Sequence, residues 1–333
     1  MESGLDNSML RLSGVSKRFG RRPVLNALDL QVGRDEIVGL LGPNGSGKTT
    51  TLRVAAGVAW CDSGVVELDG QKVSPDRPES RQGIGYMPER VPLYQALRVE
   101  RQLRFVAELR GLRKRHAQDA VETVIARLRL EPVRRQIVGR LSKGFRQRVG
   151  LAQTMLGDPR VLLLDEPTSG LDPFQIIEAR EFILDMAKGR AVVVSTHIVQ
   201  EMEALCSRVV YLRDGSLIDI DLEGPADRVD LHARIRIDGA ENLSAVLNAS
   251  RVPLEVMSLE TSGGIAELSI RVGIAERGAA ARLLAAAGEL IELSEPSTRI
   301  ERQLVDIIAA AERGGDSWEG GGSSFVKSLN SIS

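Results

Sequence analysis

A glycine-rich loop directly behind a short apolar run constrains this chain more than any other feature. The run EIVGLL (residues 36–41) is followed by GPNGSGKTTTL. Gly42, Gly47, Lys48 and Thr49 match the pattern G-x-x-x-x-G-K-[ST], the P-loop, and the flanks supply the strand, loop and helix order that it requires. Glycines allow successive N–H groups to point at an anion, and the helix N-terminus adds partial positive charge. The loop is therefore predicted to hold a polyphosphate.

Two side chains of this loop have predicted roles in nucleotide binding. Lys48 is expected to reach the β- and γ-phosphates as a mobile charge, and the Thr49 hydroxyl is expected to ligate Mg²⁺. The predicted nucleotide-binding residues of the loop are Gly42, Asn44, Gly45, Ser46, Gly47, Lys48, Thr49 and Thr50.

Length and charge narrow the class of protein. At 333 residues the chain exceeds one ordinary core, so two domains are expected. Its 44 Lys and Arg residues nearly balance 45 Asp and Glu residues, which gives no global signal for nucleic acid or an acidic membrane surface. No apolar run approaches the length of about 20 residues that spans a bilayer, so a cytosolic protein is expected unless a partner tethers it. Cys61 and Cys206 have no C-x-x-C spacing and are interpreted as small buried thiols.

The periodicity of the first two thirds predicts an α/β domain over 1–224. Antiparallel strands are expected over 9–36, and a helical insertion is expected at about 92–150. A parallel core sheet follows from the alternation of strands and helices. The alternating elements are strands at 161–164 and 191–194 with a helix at 176–186, and earlier strands are predicted at 65–68 and 84–87.

The composition changes after Gly224-Pro225, where a second, small domain is expected over 225–312. Its elements follow the β-α-β-β-α-β order of a ferredoxin-like α+β domain. The strands are predicted at 233–237, 254–259, 265–272 and 290–293, and the helices at 243–249, 277–287 and 298–311. The Gly- and Ser-rich tail over 313–333 is predicted to be disordered.

Two adjacent acids end the apolar strand predicted before Pro167. Asp165 is expected to meet Mg²⁺, directly or through water, and Glu166 could polarise an attacking water in line with the γ-phosphate. Two acids in series are also a common solvated turn. The P-loop upstream and the apolar strand in front favour the metal and base interpretation.

A second anion-binding device lies just upstream, where LSKGFRQR (residues 141–148) opens a helix. Ser142 is a good N-cap, and its hydroxyl together with free helix N–H groups can hold an anion. One chain therefore carries two predicted phosphate-binding devices.

The complete set of motifs resembles the ATP-binding subunit of an ABC transporter. LSKGFRQR resembles the signature loop, whose commonest form is LSGGQ, and SGLD (169–172) resembles the D-loop. STH (195–197) resembles the switch-histidine loop, and GIGYMPE (83–89) resembles the Q-loop. Phe19 falls where the family stacks an aromatic ring on adenine.

The resemblance implies an ATPase that works as a head-to-tail dimer with ATP and Mg²⁺. Ser142 and Gly144 of one subunit would close over the γ-phosphate held by Lys48 of the other. Glu166 would act as general base and His197 as γ-phosphate sensor. Asp172 would couple the two sites across the dimer.

Three positions depart from the commonest family pattern. Lys143 replaces the first glycine of the signature pair, and Phe145 replaces its glutamine. Glu89 stands where Gln is more common, and its carboxylate could approach Mg²⁺. These forms resemble the branch that drives exporters of drugs, polysaccharides, sodium or gliding-motility components, which also commonly carries a small C-terminal extension.

The resemblance implies two kinds of partner: separately encoded transmembrane permease subunits and a second ATPase subunit, with a homodimer expected. It also implies that the chain is peripheral on the cytoplasmic face of the membrane. No nucleic-acid partner is expected, because the arginine-rich helical stretch lacks interleaved aromatic residues. The alternative is a soluble ABC ATPase that acts on ribosomes or DNA, although such proteins usually carry tandem cassettes or a long coiled coil. A binding-only regulator is a third possibility, against which the retention of Lys48, Asp165, Glu166 and His197 argues.

Overall fold

The computed structural model describes residues 8–220, 228–237, 243, 246–247, 252–273, 276–294 and 300. These residues pack into two compact units, one over 8–220 and the other beginning at 228. The predicted boundary at Gly224 and the predicted tail over 313–333 lie outside the described residues. The domain limits therefore stay predictions.

The first unit contains an antiparallel sheet formed by strands near its N-terminus. Its strands are β1 (Ser8–Phe19), β2 (Arg22–Gly33), β4 (Ser63–Leu68) and β5 (Gln71–Lys72), in the order β2-β1-β4-β5. Strands β1 and β2 form a hairpin in which Phe19 faces Arg22. Apolar and polar residues alternate along much of these strands because only one face of the sheet is covered.

A six-stranded sheet forms the centre of the first unit. Its strands are β3 (Ile37–Leu41), β6 (Ile84–Met87), β7 (Val161–Asp165), β8 (Ala191–Ser195), β9 (Arg208–Arg213) and β10 (Ser216–Ile220). The order is β10-β9-β3-β8-β7-β6, with every neighbouring pair parallel except β9 and β10. Every residue of β3, β7 and β8 is buried, as expected for parallel strands covered on both faces. The predicted α/β core is confirmed, and β10 adds an antiparallel edge to it.

Six helices of the first unit connect these strands. They are α1 (Lys48–Ala55), α2 (Val99–Leu109), α3 (Lys114–Arg127), α4 (Lys143–Met155), α5 (Pro173–Ala187) and α6 (Val199–Leu205). One apolar cluster joins the two sheets and α1, with Leu12, Leu40, Leu52, Leu163 and Val193 among its members.

The second unit is a four-stranded antiparallel sheet with one helix resolved among the described residues. It contains β11 (Arg228–Arg236), β12 (Leu254–Ser262), β13 (Ile265–Gly273), β14 (Glu289–Ser294) and α7 (Arg277–Ala287). The strand order β12-β13-β11-β14 places the first and third strands in the middle, in agreement with the ferredoxin-like prediction. The predicted helices over 243–249 and 298–311 lie largely outside the described residues.

We predict that replacing a core side chain of β7 destabilises the first unit. Leu163 is fully buried between the two sheets, so Leu163→Ala should lower the free energy of unfolding by about 3 kcal/mol. Calorimetric unfolding of the full chain should show a lower melting temperature for the transition of this unit. Leu109→Ala is the matched control because Leu109 is 70% exposed, and an equal shift in both variants would contradict the prediction.

Candidate nucleotide-binding site

The P-loop lies at the edge of the central sheet, where β3, β8 and β7 end side by side. A cleft of about 390 Å³ opens at this edge. Its lining contains Phe19, Arg22, Val24, Asn44, Gly45, Gly47, Lys48, Thr49, Thr50, Glu89 and Glu166. Nine of these eleven residues are in the predicted site, so motifs separated by more than a hundred residues meet in one cleft. Gly42 and Ser46 belong to the same loop but do not line the cleft.

Gly47 shows why the loop needs glycine. Its φ of 112° lies in the left-handed region, and a β-carbon added there would lie 3.0 Å from the carbonyl oxygen of Val24. The absence of a side chain lets α1 begin against β2, with its first N–H groups at the cleft.

Lys48 is buried, and its position within the loop is fixed by two carbonyl groups. Its Nζ donates to the carbonyl oxygens of Gly42 at 2.7 Å and Pro43 at 3.3 Å. Burial lowers the pKa of Lys48, and the charges of Glu166 and other nearby acids oppose this shift. The result is a cation held at the loop with little access to water.

Asp165, at the end of β7, has one carboxylate oxygen that is engaged and one that is not. The Ser195 hydroxyl donates to Oδ1 at 2.6 Å, whereas the buried Oδ2 has no hydrogen-bond partner among the described residues. In that part of the chain no group of three or more His, Cys, Asp or Glu side chains could hold a metal ion by itself. Mg²⁺ at nucleotide sites usually takes one or two protein ligands together with phosphate oxygens and water. The free Oδ2 of Asp165 and the Thr49 hydroxyl at the cleft fit that donor set.

Glu166 and His197 form a close pair beside Lys48. The Nδ1 atom of His197 lies 2.8 Å from Oε2 of Glu166, whose side chain is nearly buried, while the His197 side chain is half exposed. Glu166 has a φ of +50°, which is unfavourable for a residue with a β-carbon. Its N–H donates to the hydroxyl and carbonyl oxygens of Ser195, both at 3.1 Å. These bonds hold the strained residue so that its carboxylate faces the cleft.

Ser142, Gly144 and Asp172 lie outside this cleft and close to one another. The Ser142 hydroxyl accepts from the N–H of Phe145 at 3.4 Å, and Asp172 Oδ1 accepts from the N–H of Gln175 at 3.0 Å, so each caps a helix. Gly144 lies against the side chain of Gln175, which joins the starts of α4 and α5. The chain thus presents a second polar surface that its own cleft does not use.

Two residues that line the cleft were missed by sequence reasoning. Arg22 faces Phe19 across the hairpin, and Val24 packs against Gly47. The sequence signal that could have identified Arg22 and Val24 is their position three and five residues after Phe19, the predicted adenine-stacking residue. It identifies them only once the hairpin is known to fold over the P-loop.

Comparisons with known proteins agree with this geometry. Residues 25–169 match the model of the ABC transporter family. The ABC transporter ATP-binding protein YhcH of Bacillus subtilis is 38% identical over 216 residues, which are 64% of this chain and 70% of that protein. The Nod factor export ATP-binding protein I of Rhizobium sp. is 36% identical over 207 residues, 61% of this chain and 67% of that protein.

A solved ATP-binding subunit of an ABC transporter aligns with a TM-score of 0.59 and 30% identity, over 65% of this chain and 91% of that one. A P-loop beside an acid pair and a histidine defines a nucleotide-hydrolysing class of site. The chain belongs to the ABC transporter family, among its ATP-binding proteins. No helix in the described part of the chain combines the length and apolar character that crossing a membrane requires.

We predict that nucleotide affinity falls with alkaline pH through Lys48. A bound phosphate favours charged Lys48, and burial lowers the pKa of this group below 10.5. The affinity for ADP should therefore be highest at pH values below the pKa that Lys48 has in the nucleotide-free protein. Above that pKa it should decline by about tenfold per pH unit. The dissociation constant of ADP, measured from neutral pH upward, should show this decline.

Lys48→Met is the control for this titration. It should bind ADP weakly at every pH and lack the alkaline decline. An ADP affinity of the unaltered chain that stays constant up to pH 10.5 would contradict the assignment.

Proposed function

We propose that this chain is the ATP-hydrolysing subunit of an ABC-type membrane exporter and that its stroke is head-to-tail dimer closure and reopening. Separately encoded permease subunits form the transport path, and a second copy of this chain completes the dimer. In this proposal the chain works on the cytoplasmic face of the membrane. The observation that carries it is the 2.8 Å contact between His197 and Glu166, because Glu166 lines the same cleft as Lys48.

The arrangement of residues in and beside the cleft supports a separate role for each of them in binding or hydrolysing ATP. Phe19 stacks on the adenine ring of ATP, and the P-loop amides with Lys48 hold the β- and γ-phosphates. Glu166 accepts the proton of the attacking water, and His197 keeps that carboxylate oriented and contacts the γ-phosphate. Thr49 and Asp165 would hold Mg²⁺, with Glu89 at the rim, and the ion supplies charge neutralisation on the phosphates.

The second polar surface supports the dimer. Ser142 and Gly144 sit at the start of α4, where free N–H groups can meet an anion, yet they are absent from the lining of the chain's own cleft. In a dimer with a two-fold axis, Ser142 and Gly144 of one subunit would contact the γ-phosphate of the ATP that is bound in the cleft of the other subunit. Asp172, at the start of α5 beside them, would then lie at the contact between the two sites. Loss of the γ-phosphate after hydrolysis removes charge between the halves and reopens the dimer.

An exposed aromatic pair supports the permease as partner. Tyr94 and Phe105 meet edge to face at 5.3 Å, and Tyr94 is 57% exposed. Leu109, on the same helix as Phe105, is also exposed. Such a surface suits an apolar helix of a membrane subunit. The name of the relative that exports Nod factor supports the export direction.

We predict that Glu166→Gln slows ATP hydrolysis by about 10² to 10⁴-fold, because the amide cannot accept the proton. ATP binding should persist, and the variant should sediment as a dimer with ATP and Mg²⁺ but as a monomer with ADP. Glu181→Gln, an exposed acid on α5, is the matched control and should hydrolyse ATP normally. Unchanged hydrolysis in Glu166→Gln would remove Glu166 from the mechanism.

We predict that tagged Glu166→Gln, isolated with ATP and Mg²⁺ from gently solubilised cells of the native source, brings down a polytopic membrane protein. Mass spectrometry should lose this protein when Lys48→Ala is added, because the trapped dimer no longer forms. Ribosomal proteins or nucleic acid in its place, with no membrane protein, would favour the soluble alternative.

A further inference from the structure

A buried carboxyl group lies behind the cleft and is not used by the mechanism above. Glu201, in α6, is 7% exposed and does not line the cleft. Burial raises the pKa of Glu201, and hydrogen bonds from Thr168 and Thr196 oppose the shift. Because burying a carboxyl group is costly unless it is hydrogen-bonded, its contacts call for an explanation.

One oxygen of Glu201 joins two separate segments of the chain. Oε2 accepts from the Thr168 hydroxyl at 2.5 Å and lies 3.3 Å from the Thr196 hydroxyl, which also donates to it. The Thr196 hydroxyl in turn accepts from the N–H of Ile198 at 3.1 Å. The other oxygen, Oε1, is buried and has no hydrogen-bond partner among the described residues.

Each of the two segments contains one of the two residues that meet in the candidate site, Glu166 in one segment and His197 in the other. Thr168 lies two residues after Glu166, and Thr196 immediately precedes His197. The segment after Glu166 has a second tether, because Gln147 donates to the carbonyl oxygen of Pro167 at 2.5 Å. Gln147 reaches only that side, whereas Glu201 reaches both. Glu201 therefore adds a second bridge between the Glu166 and His197 segments, beside the bonds that join the N–H of Glu166 to Ser195.

We propose that Glu201 is a positioning residue for ATP hydrolysis, which holds the Glu166 segment and the His197 segment in register through Thr168 and Thr196. The inference rests on the proposed function, since it assigns to Glu166 and His197 their roles in hydrolysis. Glu201 does not line the cleft and acts through the two threonines.

The strained backbone of Glu166 explains why such a tether is needed. Left-handed φ at a residue with a side chain persists only where the surroundings over-determine it. Ser195 fixes the chain at the N–H of Glu166, and Thr168 fixes it two residues later. Releasing the second point lets the carboxylate move relative to the cleft, and misplacement by about 1 Å costs up to about 100-fold in rate.

The test uses the full chain and compares substitutions at both ends of the contact. Glu201→Met keeps the size but removes the acceptor, and Thr168→Val removes the donor with little change of shape. Each should lower kcat about tenfold while the dissociation constant of ADP changes less than twofold. The double variant should be no slower than the slower single variant, because both remove one contact.

Two further variants serve as controls. Glu201→Gln keeps an acceptor oxygen and should retain kcat within about threefold of the unaltered chain. Glu203→Gln, an exposed acid on the same helix, should be unchanged. If Glu201→Met does not fold, Thr168→Val and Thr196→Val carry the test alone.

A second readout separates this inference from the proposed function. The chain has three histidines, so ¹⁵N-histidine NMR with His197→Gln for assignment can follow the Nδ1 atom of His197. Its signal should be that of a hydrogen-bonded N–H in the unaltered chain and should move in Glu201→Met and Thr168→Val. This readout holds even if the unaltered chain hydrolyses no ATP, an outcome that would contradict the proposed function alone. An unmoved Nδ1 signal, or an unchanged kcat in an active chain, would overturn the role of Glu201.

Discussion

The parallel pairing of β3, β8 and β7 is the constraint on which the rest of the site depends. In this register Leu40 pairs with Ser195, and Ser195 pairs with Asp165. The P-loop, the His197 segment and the Glu166 segment therefore leave the sheet from nearly one row. Because these strands are completely buried, a slip of register would expose apolar surface and leave backbone groups unpaired. The hydrophobic core thus fixes the polar site to within hydrogen-bond distances.

Ser195 links the strand register to the positions of the two acidic residues in the site. It donates to Asp165 and accepts from the N–H of Glu166, so one hydroxyl orients two consecutive acids. Asp165 is left with one buried oxygen that has no hydrogen-bond partner in the described part of the chain, and Glu166 is turned so that its side chain meets His197. Two adjacent acids on an ordinary strand would point to opposite faces. The left-handed φ of Glu166 changes that direction and keeps both carboxylates at the same edge.

Local patterns were enough to predict the P-loop, most of the central strands and the four strands of the second unit. Each is written in a few consecutive residues, such as the uninterrupted apolar run Val161–Leu164 or the glycines before Lys48. The hairpin of β9 and β10 was missed although the Asp214-Gly215 turn, with φ values of 49° and 80°, carries a common hairpin signal.

Residues whose function depends on distant contacts could not be found in this way. Arg22 acquires its place only when the hairpin of β1 and β2 lies over the P-loop. Glu201 is one acid in a helix of mixed composition, and its meaning depends on Thr168, which lies 33 residues earlier in the chain. The sequence motifs therefore identify the residues that bind and hydrolyse the nucleotide in the proposed function. Tertiary packing determines which other side chains hold those residues in place. This division explains why the supporting residues are serine, threonine and a buried acid: each bridges two segments through one small polar group, and such bridges leave no periodic trace in a sequence.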